Sequence, residues 1–276
     1  MKSLHVLQAL IAGWFALSCT VGSSSAQTAA GNPAPASGGP VEPALLDDLV
    51  IANHVLASQG VLDGFGHVSI RHPTNSDRFL MSRSLAPALV TAVDVLEYDL
   101  DGNAVDARGR AGYLERFIHA EIYKARPDVK AVIHSHSPAV IPFGTTQVPM
   151  QPMFHISAFL SPQVPVFEIR KVGGMTDMLV SNAQLGKALA EALGRGAVVL
   201  MRGHGMAVAG PSLPLAVFRA IYTEVNARLQ TQAIEIGGPI TFLAPEESEK
   251  ADKVIDQVHL RAWDLWKREE MAKSAK

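Results

Sequence analysis

Between residues 45 and 236 the apolar pattern switches repeatedly between the two-residue repeat of a strand and the longer repeat of a helix, which confines the chain to the α/β class. Leu45, Leu46, Leu49, Val50 and Val55 form a helical stripe over residues 45–59, and Gly60 is placed to end it. His67–Arg71 and Arg78–Ser82 read as strands, and residues 95–98 as a third that runs into an Asp-Gly turn at Asp101-Gly102. Residues 114–125 are helical up to Arg126-Pro127, where the proline forces a stop. Ala131-Val132-Ile133 is a buried strand that enters His134, and residues 164–169 and 197–201 are further strands. A capping box at residues 181–184 opens a helix to Leu193, residues 214–236 form a long helix, and residues 248–276 continue helical with Trp263 and Trp266 on one face. We assign residues 44–276 to a single α/β domain without internal repeats.

The chain is 48% apolar and 18% charged, enough to build a core, and its formal net charge is -2. With no extended basic block, a nucleic-acid partner is not expected.

Residues 1–26 read as a secretory signal peptide. Lys2 supplies the positive end, residues 6–17 are apolar except for Gln8, and Ser24-Ser25-Ala26 suits cleavage before Gln27. Two alternatives stand beside this: an uncleaved anchor, since residues 4–21 approach the ~20 needed to span a bilayer, and a lipoprotein signal ending at Cys19. Residues 27–43, rich in Ala, Gly, Pro and Ser, read as a linker. Cys19 is the one cysteine, so cleavage leaves a thiol-free protein, as suits an oxidising compartment. The expectation is a periplasmic or secreted protein with no membrane attachment after cleavage.

Among ten histidines, three sit in a chemical pattern. At period two, His134 and His136 project from one strand face and can reach one ion. His204, between Gly203 and Gly205 just after a strand, can be aimed at the same ion by a tight turn. Three imidazoles leave an open position, as in a catalytic zinc site, although a His-x-His pair alone also fits an ordinary polar strand face. Glu115, at the start of the helix over residues 114–125, is the candidate acid/base, but spacing does not show where it points.

The run from Tyr113 to His136, with Glu115, His119, Tyr123, Arg126-Pro127-Asp128 and His134 in order, resembles the core signature of the class II aldolase/adducin family. Gly66-His67-Val68-Ser69-Ile70, Asp99-Leu100-Asp101-Gly102 and Arg202-Gly203-His204-Gly205 fall in the family's order, and the likeness covers residues 45–236. The resemblance implies a three-layer α/β/α domain with a central, largely antiparallel sheet. It implies a divalent metal on His134, His136 and His204, with Glu115 as catalytic acid/base and a metal that polarises substrate oxygens. It also implies a homotetramer with the site at a subunit boundary. Zinc suits three histidines best, while manganese, cobalt and nickel also accept imidazole.

The departures from the family pattern bear on the substrate. Where family sugar-phosphate aldolases carry an Asn, a Ser-Gly pair and two serines to wrap a phosphate, this chain reads His67, Ser84-Leu85 and Tyr113-Leu114. Ser82-Arg83-Ser84 resembles the stretch found in family decarboxylases, and an arginine fork at Arg83 matches a carboxylate, an ordinary surface ion pair being the alternative. His67, Ser82, Arg83 and Ser84 are therefore the substrate-binding candidates. The family's proton-donating tyrosine aligns with Ile156, so the neighbouring His155 is the second catalytic candidate, or a packed core histidine. His54, His72, His119 and His259 read as structural. The expectation is a metal-dependent carbon–carbon lyase on a small non-phosphorylated hydroxy or keto acid, decarboxylase ahead of aldolase. A non-enzymatic adducin-like module is the contrasting reading.

Overall fold

The computed structural model describes residues 34–274. The signal peptide, its cleavage point, Cys19 and the first residues of the linker lie outside this range. No helix among the described residues is long and apolar enough to cross a membrane.

Seven strands form one sheet in the order β3-β2-β1-β4-β7-β6-β5: β1 (His67–Arg71), β2 (Arg78–Ser82), β3 (Val95–Asp99), β4 (Ala131–Ser135), β5 (Val166–Phe167), β6 (Val198–Met201) and β7 (Gly205–Gly210). Every pairing is antiparallel except β5 with β6. Among the described residues eight α-helices accompany it: α1 (Pro43–Ser58), α2 (Arg116–Ala125), α3 (Ile141–Thr145), α4 (Arg170–Gly173), α5 (Ala183–Leu193), α6 (Leu213–Ile236), α7 (Pro245–Val258) and α8 (Leu260–Ser274).

Alternation sorts the sheet's residues into two cores. Ile133, Leu200, Met206 and Val208 face α1, α6 and the C-terminal helices, where Trp263 and Trp266 are buried. Val132, Val199, Met201 and Ala207 face α2 and α5. The three-layer α/β/α arrangement is therefore present, with β1, β4, β6 and β7 buried along their whole length.

Several boundaries differ from the sequence expectation. The strand over residues 164–169 is reduced to β5, an edge strand of two residues, because Ile169 already turns into α4. β7 was not anticipated: Gly-Met-Ala-Val-Ala-Gly is buried on both faces and shows no polar alternation. α5 is capped by Asn182, whose side chain accepts from Leu185 N at 3.0 Å, one residue after the expected serine. The C-terminal helical stretch is two helices divided at His259. The end of the stretch read as a linker is tied to the sheet: Glu97 accepts from Ser37 Oγ and Gly38 N, and Arg78 Nε donates to Ala36 O.

On the α2 side, β1 presents His67, Ser69 and Arg71, an uninterrupted polar column under a helix. Arg71 ends it at the C-terminus of α2, where unpaired carbonyls attract a cation. Its guanidinium donates to Tyr123 O, Arg126 O, Val129 O and Ser76 O over 2.5–3.0 Å. It also lies 4.6 Å over the Tyr123 ring. Arg71→Leu strands these acceptors, and the expected loss is about 3 kcal/mol or more of unfolding free energy in a urea titration.

Candidate metal centre and active site

Register brings the site together at one end of the sheet. His134 stands opposite His67 on β1 and opposite Ala207 on β7. His136 follows just beyond the end of β4, and His204 sits in the tight turn joining β6 to β7. Glycine is required at Gly205, because a Cβ there would lie 2.0 Å from Ser135 O. Gly66 has φ +85, and a Cβ would meet His134 O at 2.8 Å, so both neighbours of β4 approach it through glycine at this end.

Glu115 is not inside α2. It occupies the N-cap position, and its side chain caps nothing there. Its Oε1 instead accepts from Val180 N at 2.8 Å, and Oε2 lies 3.4 Å from both His134 Nε2 and His204 Nε2. Glu115, His134, His136 and His204 each offer a ligand atom, all within 4.8 Å of one another.

The donor set fits a divalent cation. His134 Nδ1 and His204 Nδ1 each lie 3.0 Å from a backbone carbonyl, of Met206 and Met178. Only an Nδ1–H satisfies those carbonyls, so each ring, when neutral as a metal ligand must be, offers Nε2 as its ligating atom. His136 Nε2 lies 3.2 Å from His134 Nε2 and 2.9 Å from His204 Nε2. His136 can donate one proton to one of them, which leaves the other nitrogen facing a lone pair and a carboxylate. Nitrogens about 2.0–2.1 Å from one ion lie roughly 2.9–3.4 Å apart for angles between right and tetrahedral, which matches this spacing.

Burial works to raise the Glu115 pKa, but the flanking His134 and His204 outweigh it and hold the carboxyl well below the usual range. Burial, with His134 and His204 alongside, lowers His136 to about 4, so it stays neutral and able to ligate. The segment ahead of α5 supplies two fixed backbone groups: Met178 O orients His204, and Val180 N holds Glu115. Met178 adopts φ 74, a left-handed conformation rare for its type, and this strain sits where a ligand is being aimed. On the other side, buried Glu224 of α6 accepts from Ser137 Oγ and from Ala139 N, fixing the chain just past His136.

A cavity of about 430 Å³ opens beside this cluster, lined by Phe65, His67, Ser84, Leu85, Tyr113, Leu114, Glu115, His136 and Leu179, with no lysine or arginine among the described residues of its wall. Phe65 is 68% exposed at its edge, with its ring 6.1 Å from that of His136.

Of the sequence candidates, Glu115, His134, His136 and His204 converge, and His67 and Ser84 line the cavity. Ser82 is buried behind the wall and bonds the Tyr113 hydroxyl at 3.1 Å. Arg83 is outside the wall; its Nε is paired with Asp94 at 2.6 Å. His155 is exposed at the start of a 3-10 turn, away from both cluster and cavity lining. Sequence reasoning missed Tyr113, whose ring packs 4.4 Å from that of His67, and His119, which bonds His67 from behind. Their positions in the motif around Glu115 were the available signal.

Residues 47–231 match the family model described as Class II Aldolase and Adducin N-terminal domain. The chain is 41% identical over 239 residues to "Decarboxylase tropJ" of Talaromyces stipitatus, covering 78% of this chain and 90% of that one. It is 34% identical over 209 residues to a 3,4-dihydroxyphthalate decarboxylase of Arthrobacter keyseri, covering 71% and 81%. An aldolase II superfamily protein of Pseudomonas syringae superposes with a TM-score of 0.70 at 24% identity, over 83% of this chain and 94% of that one, a likeness of fold.

Gly205→Ala is expected to force β7 away from Ser135 and misplace His204. Elemental analysis should then find bound divalent metal well below the wild-type ratio, as low as in His134→Ala.

Proposed function

We propose that this chain, which belongs to the class II aldolase and adducin family, is a divalent-metal-dependent lyase that removes CO2 from a small, non-phosphorylated, hydroxylated aromatic acid. One observation carries the reading: the His134–His136–His204–Glu115 cluster opens onto a cavity walled by Phe65, Leu85, Leu114, Tyr113 and Leu179, whose described residues include no cationic side chain and no ring of small donors for a phosphate. Such a wall suits a flat apolar ring. The relatives named as decarboxylases support the same chemistry.

His134, His136 and His204 would hold the ion, zinc being the best match to three imidazoles. When bound, the ion supplies Lewis-acid chemistry, meeting the negative charge of the substrate's oxygens. Glu115, ionised and held by Val180 N, takes the proton of a ring hydroxyl and returns it to the ring carbon that bears the carboxylate. The carbon–carbon bond then breaks, its electron pair restores the aromatic ring, and CO2 leaves; water reprotonates the ring oxygen. Phe65 and Leu114 cover the ring, and His67 and Ser84 are the polar groups at hand for its oxygens. Arg83 acts at one remove, since its pairing with Asp94 holds the end of β2 from which Ser84 enters the cavity. We assign no step within this chain to His155.

We further propose that the enzyme is exported with cleavage before Gln27 and assembles as a homotetramer. The N-terminal charge and apolar pattern support the first. The second rests on the family resemblance and on Phe65 and Leu114, 68% and 64% exposed at the cavity mouth, which a neighbouring subunit would cover.

Metal-loaded protein given a panel of hydroxylated aromatic acids and sugar phosphates should release CO2 from an aromatic acid; aldehyde release without CO2 would replace decarboxylation by aldol cleavage. Glu115→Gln is expected to keep the metal and lose roughly 10²–10⁴-fold in kcat. N-terminal sequencing of protein from the periplasmic or culture fraction should begin at Gln27, and an intact Met1 there would refute export by cleavage.

A further inference from the structure

Behind the cavity wall a chain of hydrogen bonds runs inward between β1 and α2. His67 Nδ1 lies 2.6 Å from His119 Nε2, His119 Nδ1 lies 2.6 Å from Ser69 Oγ, and Ser69 Oγ lies 2.8 Å from Tyr123 Oη. His67 is 3% exposed, Tyr123 1%, and Ser69 and His119 are fully buried, so every proton in the chain needs a partner within it.

Each contact holds one proton, and only two arrangements run through the series. In one, the protons point inward: His67 Nδ1–H donates to His119, His119 to Ser69, and Ser69 to the Tyr123 oxygen. The Tyr123 hydroxyl proton then has no acceptor among the described residues, and the Val132 amide near that oxygen is a further donor. In the other, Tyr123 donates to Ser69, Ser69 to His119 Nδ1, and His119 Nε2–H to His67 Nδ1. Every buried proton is then accepted. The one N–H left over is His67 Nε2–H, on the edge of the ring facing away from His119, and His67 lines the cavity. Stranding a buried hydroxyl proton carries a desolvation cost, so the outward arrangement wins.

We propose that His119 is a positioning residue that, backed by Ser69 and Tyr123, locks His67 as the neutral Nε2–H tautomer and makes it a hydrogen-bond donor to an oxygen of the bound acid. The role toward substrate rests on the lyase reading above; the proton assignment does not. Neutrality matters at this place. The His67 ring is 5.1 Å from that of the ligand candidate His134, where an imidazolium would repel the ion. A neutral donor recognises a carboxylate or phenolate oxygen without competing with a metal.

The test has two arms. In the first, nitrogen-15 NMR of histidine-labelled, zinc-loaded wild-type protein should find His67 and His119 both protonated at Nε2 and bare at Nδ1. A His67 Nδ1–H tautomer, or an imidazolium at neutral pH, overturns the proposal, and this arm depends on no variant folding. In the second, His119→Gln keeps an N–H for His67 Nδ1, whereas His119→Glu offers an acceptor and turns His67 around. Calorimetric titration with 3,4-dihydroxyphthalate should give His119→Gln near wild type and His119→Glu roughly tenfold weaker or more, with zinc content unchanged in both. Equal affinity in His119→Glu with zinc in place overturns the role. Wild-type protein that shows the Nε2–H tautomer but binds no dihydroxy acid would instead count against the lyase reading.

Discussion

Bare imidazole nitrogens repel when their lone pairs meet at about 3 Å, and a chain keeps them there only if the surrounding structure leaves no other rotamer. Here two of the rings are held from behind, His134 by the Met206 carbonyl and His204 by the Met178 carbonyl, and Glu224 fixes the segment after His136. The carbonyls lie on β7 and in the loop before α5, so the cluster requires the antiparallel union of β4, β6 and β7 and the docking of α5 over it. The close approach at Gly205 and the left-handed Met178 are local concessions to that demand.

The two faces of the sheet divide the labour. Toward α1 and α6 the strands offer aliphatic side chains. Toward α2 the same strands carry His67, Ser69 and Arg71 on β1 and His134 on β4, all buried and all bonded. Burying so much polar chemistry is tolerable because α2 supplies matching partners: His119 and Tyr123 along its length, the carbonyls of its last turn for Arg71, and Glu115 at its start. The helix serves as both wall and wiring for the cavity.

The cavity departs from one built for phosphate. Its wall is largely aromatic and aliphatic among the described residues, and Arg83, on the same stretch as Ser84, is paired with Asp94. Under the proposed function, charge recognition falls to the histidine cluster and shape recognition to Phe65, Leu114, Leu85 and Leu179. Family relatives with different names can thus share one scaffold while the residues around the ion select the reaction.

The amino-acid sequence by itself determined the α/β class, the strands His67–Arg71 and Arg78–Ser82, and the stop of α2 before Pro127, because periodicity and proline act locally. Its two-residue spacing also paired His134 with His136, and the resemblance joined His204 and Glu115 to them, the four that converge. Composition misled where contacts are distant: β7 has no alternation to read, and Glu97 ties down a segment that looks like free linker. Arg83 and His155 have suitable chemistry, yet an ion pair with Asp94 holds one and exposure at the start of a turn sets the other apart. Only the tertiary structure decided that Val180 and Met178 serve the site, because backbone N–H and C=O groups are the same at every residue and leave no mark in a sequence. It alone turned His119 from a core histidine into the partner of His67, fifty-two positions away, because β1 and α2 meet face to face only when the sheet is assembled.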